Sequence, residues 1–98
     1  MKRLALLIAL LLAACSTTKT EPVGAGAKLF RDHCAKCHGT DAGGRKDAPS
    51  LRSARVQQRP DDSLFRFLTN GDLKRGMPSW SRLPDERRWQ LVAYLKSL

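Results

Sequence analysis

About a third of the way along, the chain reads Cys34-Ala35-Lys36-Cys37-His38. Two thiols three positions apart, with an imidazole directly after the second, form the pattern of a c-type haem attachment site. On one turn of backbone the two sulfurs reach the two vinyl groups of one porphyrin. The imidazole that follows then lies under the ring and offers Nε2 to the iron. Other uses of a CxxC stay open at this point. Structural zinc takes four ligands in two spaced pairs, and beyond this cluster the chain offers only His33 and Cys15. A thioredoxin-like redox pair sits in a βαβ setting, and no strand–helix alternation is visible. A plain structural disulfide is the remaining alternative.

The N-terminus sorts the cysteines. Lys2 and Arg3 precede a run of Leu, Ala and Ile from Leu4 to Ala14. That run is too short for a comfortable membrane span and reads as a secretion signal; an uncleaved anchor is the alternative. It ends Leu12-Ala13-Ala14-Cys15. Small residues before a cysteine resemble the lipobox of bacterial lipoproteins. The resemblance implies cleavage before Cys15, with lipid on its sulfur and on the new N-terminus. The protein would then sit at the periplasmic side of a bacterial membrane. Ser16, rather than Asp, resembles lipoproteins sent to the outer membrane. Of the three cysteines, one is then for lipid and two are for haem.

The expected division is 1–14 signal peptide, 15–25 lipidated cysteine and flexible tether, and 26–98 haem domain. Ser16 to Ala25 is polar, with Pro22 and Gly24 and no periodicity. A flexible stretch of that length spans roughly 17 Å, which keeps the domain near one membrane surface.

The 98 residues allow one domain. Basic residues number 18 against 9 acidic ones, a net charge of +9; removing Lys2 and Arg3 with the signal leaves +7. Such a surface favours redox partners with acidic docking surfaces and speeds the encounter at low salt, or it simply keeps the protein soluble. For an exported protein it does not point to nucleic acid. A domain this small buries little on its own, so a covalent porphyrin would supply much of its core.

Gly26 to Cys37 reads as a helix, with Leu29 and Phe30 on one side and Gly26 a turn before Phe30. Gly39 to Ser63 is mostly loop, with a turn at Gly43-Gly44; Leu51 is expected against the ring. Arg52, Arg55 and Arg59 are candidates for the haem propionates, although a solvated basic face is the better reading of each. Pro60-Asp61-Asp62-Ser63 opens the next helix, which an Asp can cap. Leu64, Phe65, Phe67 and Leu68 form its apolar face, and Asn70-Gly71 stops it. Pro84-Asp85-Glu86 leads into a last helix to about Leu98, with Leu91, Leu95 and Leu98 at helical spacing and Trp89 and Val92 widening the face.

Gly76-Met77-Pro78 is the second chemical site. Met77 is the only thioether left once the signal is gone, and Gly and Pro on either side shape a loop. A thioether is a soft ligand that favours ferrous iron; elsewhere a lone Met fills a core. Trp80 follows, as core or as cover for the haem edge with its N–H on a propionate. His33 adjoins Cys34 and is held on the attachment side of the ring, so it reads as a surface or packing residue rather than a rival ligand.

Taken together, Gly-x-x-x-Phe, CxxCH, a proline eleven residues after the histidine, Met-Pro, and Leu-x-x-Tyr-Leu in a final helix resemble class I cytochromes c, over Gly26 to Leu98. The resemblance implies an all-α, cytochrome c-like fold of three to four helices around one covalent haem c. It implies that first and last helices cross at near right angles, with Gly26 and Phe30 meeting Leu91 and Tyr94. It also implies that the Pro49 carbonyl accepts a hydrogen bond from His38. Pro84 stands where the family often has Ser or Thr. The expected cofactor set is Cys34, Cys37, His38, Met77, Pro49 and Trp80, with His38 and Met77 on iron. The expected function is single-electron transfer by a membrane-tethered monomer that is not an enzyme. The alternatives are a haem module binding a small ligand at a labile sixth site, and a cytochrome subunit of a periplasmic dehydrogenase or sulfur-oxidising complex.

Overall fold

The computed structural model describes residues 22–46 and 48–98. The expected signal segment, Cys15 and the first part of the expected tether lie outside the described residues. The chain forms α1 (Pro22–His33), α2 (Ala35–His38), α3 (Ala54–Gln57), α4 (Asp61–Asn70) and α5 (Asp85–Lys96), with a 3-10 turn at Leu73–Arg75. Among the described residues no strand forms, only two isolated bridges, Arg45 with Ala48 and Asp72 with Met77. The all-α class is as expected: three long helices and two single turns.

Pro22 opens α1, where its missing N–H costs nothing and its fixed φ suits the first turn. The helix therefore begins before Gly26, and Pro22 to Ala25 are helical rather than part of a tether. It also stops sooner than expected. The path bends at Cys34, which leads into the short α2. The N–H groups of Cys37 and His38 both turn back to the Cys34 carbonyl, at 3.1 and 3.0 Å. Sharing one acceptor tightens the turn and brings thiols and imidazole together.

Neither α4 nor α5 takes an Asp side-chain cap. Pro60 and Pro84 occupy the N-cap positions, with ψ of 147° and 152° and no side-chain bond. Asp61, Asp62, Asp85 and Glu86 lie instead in the first turns, where their charge suits the positive end of the helix dipole. α5 ends at Lys96, short of the expected Leu98.

The core is built on α1 against α5. A Cβ on Gly26 would lie 2.0 Å from the Gln90 carbonyl oxygen and 2.7 Å from the Tyr94 Cβ, so only glycine permits this approach. One turn on, Phe30 and Leu91 are each 1% exposed, and the Phe30 and Tyr94 rings lie 5.2 Å apart. Burying side chains of this size contributes about 1.5–3 kcal/mol each. Leu64 and Leu68 of α4 join the same core. Trp89 does not: it is exposed and stacks on Phe65 at 4.1 Å.

α3 is locked from afar. The Gln57 side chain donates to the carbonyls of Leu51 (2.9 Å) and Leu95 (2.8 Å), and the Gln57 backbone carbonyl accepts from Lys96 Nζ at 2.7 Å. The long loop after α2 is thereby tied to the end of α5.

Candidate functional site

The attachment turn comes first. Neither Cys34 nor Cys37 is in a disulfide; Cys34 is half-buried and Cys37 exposed. Burial, with the neighbouring Cys37 adding to it, pushes the Cys34 thiol up to about 11. That is opposite to the lowered thiol of a CxxC redox pair. Nor does any group of three His, Cys, Asp or Glu side chains converge on a metal-sized site among the described residues. His38 Nδ1 lies 3.0 Å from the Pro49 carbonyl oxygen. A carbonyl only accepts, so Nδ1 carries the proton and Nε2 keeps its lone pair for a metal.

The loop is shaped to deliver that carbonyl. Gly44 has φ of +92°, and a Cβ there would sit 2.7 Å from the Ser50 nitrogen and 3.0 Å from the Pro49 carbonyl carbon. Its N–H donates to the His38 carbonyl at 2.8 Å. Ala42 is buried with φ of +61°, a conformation uncommon outside glycine. Its carbonyl accepts from the Leu51 N–H at 2.8 Å. The Arg52 guanidinium donates to the Asp41 carbonyl at 2.6 Å.

Met77 sits on a strap fastened to α4. Gly71 ends α4 with φ of +68°, and a Cβ there would lie 2.6 Å from Pro78 and from the Ser79 nitrogen. Asp72 and Met77 exchange both backbone hydrogen bonds, at 2.9 and 3.0 Å. Gly76 turns the chain between them with φ of +88°. Beyond Met77, Ser79 Oγ donates to the Thr69 carbonyl at 2.5 Å, and the Trp80 N–H donates to the Leu68 carbonyl at 2.9 Å. Met77 is half-buried, packed against the core.

Two free thiols and an imidazole with one nitrogen committed to a carbonyl are what covalent attachment of a haem calls for, and a thioether stands on the shaped strap farther along the chain. The family model described as cytochrome c oxidase, cbb3-type, subunit III matches residues 21–95. The chain belongs to this family of c-type cytochromes. The cytochrome is 38% identical over 79 residues to the cbb3-type cytochrome c oxidase subunit FixPc of Rhizobium leguminosarum bv. viciae, a match covering 76% of this chain and 27% of that one. It is 29% identical over 77 residues to cytochrome c550 of Pseudomonas aeruginosa, covering 74% and 53% respectively. Among solved structures, the KustC0563 c-type cytochrome superposes with a TM-score of 0.65 at 26% identity, covering 74% of this chain and 94% of that one. The cytochrome thus spans about a quarter to a half of the length of these curated relatives. Its cofactor is a covalent haem c, and the two cysteines such a bond needs stand at Cys34 and Cys37.

The other singled-out residues fall as follows in the cytochrome. Trp80 is buried in the core, its ring 5.1 Å from that of His33 and 4.6 Å from the Arg82 guanidinium carbon. Leu51 packs against the core from the loop. Arg52 is spent on Asp41, and Arg55 lies exposed on α3. The Arg59 guanidinium lies 5.1 Å from the Phe67 ring centre, and with Arg66, Ser63 and Asn70 it lines a cleft of about 270 Å³. A basic cleft of about 520 Å³ opens beside exposed Cys37, lined by Lys36, Arg45 and Lys46. Sequence reasoning missed Gln57 and Arg88, because each has a deciding partner far along the chain, Leu95 for Gln57 and Thr69 for Arg88. No helix among the described residues is long and apolar enough to cross a membrane.

Proposed function

We propose that this cytochrome carries single electrons, with iron held between His38 Nε2 and the Met77 sulfur and the porphyrin bonded through Cys34 and Cys37. The observation that supports this most is the His38 Nδ1 contact with the Pro49 carbonyl at 3.0 Å. It commits one ring nitrogen and leaves the other for iron. When bound, the haem supplies a one-electron ferric/ferrous couple. Pro49 fixes the imidazole tautomer and makes Nε2 more basic. Met77 adds a soft sulfur that favours the ferrous state. With His38 and Met77 both holding the iron, no position on it would be left for a substrate, which favours a carrier over an enzyme.

Lys36, Arg45 and Lys46 around Cys37 suit a partner with acidic side chains. Trp80 stays a candidate for the haem edge, although its packing in the core accounts for it without that role. Cleavage before Cys15 and lipid on that residue would hold a monomeric domain at the periplasmic face of a membrane. The tether would then run only as far as Pro22, where α1 begins. A reduced-minus-oxidised spectrum tests the haem chemistry: a c-type α-band is expected, and its absence overturns the reading. Carbon monoxide tests the sixth ligand: the reduced protein is expected to refuse it at neutral pH, whereas rapid uptake would favour a ligand-binding module.

A second reading has support from the relatives' names. Two rhizobial relatives are described as cbb3-type oxidase subunits, so this chain would serve as the cytochrome part of a larger redox complex. Pull-down from membranes at low salt separates a stable subunit from a mobile shuttle.

A further inference from the structure

We infer that Arg88 is a positioning residue that holds the Met77 strap against α4, an inference resting on the reading of Met77 as an iron ligand. Arg88 is 7% exposed and the one charged residue buried among the described residues. A guanidinium is held out of water only where partners satisfy it. Here Nε donates to the Leu83 carbonyl at 3.1 Å, one terminal nitrogen donates to Thr69 Oγ1, and the other to the Asp85 carboxylate. The guanidinium carbon lies 4.7 Å from the Phe65 ring centre.

Asp85 is largely exposed, so that pairing is peripheral. The other two bonds reach the two ends of the strap. Thr69 is in the last turn of α4, and its carbonyl receives Ser79 Oγ. Leu83 closes the strap, its N–H donating to the Trp80 carbonyl at 3.0 Å. Arg88 therefore spans from the turn the strap leaves to the residue where it ends. The planar fork supplies donors in both directions at once, which an ammonium cannot do in the same geometry. The packing of α5 on α1 runs through Gly26, Phe30, Leu91 and Tyr94, whereas the bonds of Arg88 run to Thr69 and Leu83 at the two ends of the strap.

The test uses the full-length haem-loaded protein and its Arg88→Met, Arg88→Lys and Tyr94→Ala variants. Tyr94→Ala removes the ring packed on Phe30 and is the control for lost stability away from the strap. Denaturant midpoints, carbon monoxide uptake by the reduced form and the weak red-edge absorbance of a sulfur–iron bond are measured. Arg88→Met is expected to take up carbon monoxide about tenfold faster or more, through a larger open population, and to weaken the red-edge absorbance. Arg88→Lys is expected to fall between it and wild type, and Tyr94→Ala to lower the midpoint while leaving uptake unchanged. If the Arg88 variants bind carbon monoxide no faster than Tyr94→Ala at matched midpoints, the residue only stabilises and the inference is overturned. Should Arg88→Met not fold, Thr69→Val removes the same arm and carries the same two outcomes. Rapid uptake by the wild type, without red-edge absorbance, defeats the Met77 ligation and this inference with it; refusal by wild type and all variants alike defeats the Arg88 role alone.

Discussion

His38 and Pro49 are joined side chain to backbone across eleven positions, Nδ1 to carbonyl oxygen at 3.0 Å. The bond depends on a third residue, Gly44, whose own N–H donates to the His38 carbonyl. Gly44 lets the chain fold back so that the Pro49 carbonyl meets the imidazole Nδ1, and it does so in a conformation with φ of +92°.

Gly44→Ala is expected to cost about 1–2 kcal/mol from the left-handed backbone alone, with more from the contact to Ser50. Displacing the Pro49 carbonyl would make His38 less basic, stabilise ferric iron less and raise the reduction potential. Chemical unfolding and a potentiometric titration measure the two effects. An unchanged potential would mean that Pro49 does not tune the ligand.

Two glycines of α1 separate packing from propensity. Gly26→Ala drives a Cβ to 2.0 Å from the Gln90 oxygen, and α1 must move off α5. The expected loss is about 3 kcal/mol, the upper end of overpacking. Gly24→Ala meets nothing within 4 Å and is expected to be neutral or to stabilise by up to about 1 kcal/mol. Denaturant midpoints of the pair decide it; equal losses would refute the close approach.

Met77→Ala is expected to abolish the red-edge absorbance, open the reduced protein to carbon monoxide and lower the potential, since the soft ligand that favours ferrous iron is gone. A spectrum and potential indistinguishable from wild type would remove Met77 from the iron.

Cys34→Ala/Cys37→Ala is expected to lack a cooperative unfolding transition. The core is one α1–α5 crossing with Leu64 and Leu68 of α4 beside it, and a domain of this size without its cofactor is marginal. Far-ultraviolet circular dichroism against temperature checks this. A sharp transition in the double variant would show that the polypeptide core suffices.

Much of the site is readable along the chain, because its chemistry is local. Two thiols and an imidazole on one turn need no distant partner to be recognised, and neither does a lone thioether between Gly76 and Pro78. Gly26 and Phe30 facing Leu91 and Tyr94 follows from helical spacing joined to a family resemblance, and the structure has that contact. The helix ends were less legible. An Asp after Pro60 looks like a cap, yet Pro60 itself holds that position with the required ψ, as Pro84 does before α5. Trp89 fits the apolar stripe of α5 by spacing but finds its partner in Phe65, at the surface.

What the amino-acid order determined by itself is the attachment motif, the two candidate axial residues and the all-helical class, since each is marked by a short local pattern. Tertiary structure alone decided which polar side chains are buried. Gln57 reaches Leu95 across 38 positions and Arg88 reaches Thr69 across 19. Such bonds form only after helices pack, when desolvation leaves an unmet donor too costly to keep, and nothing in the neighbouring residues announces them.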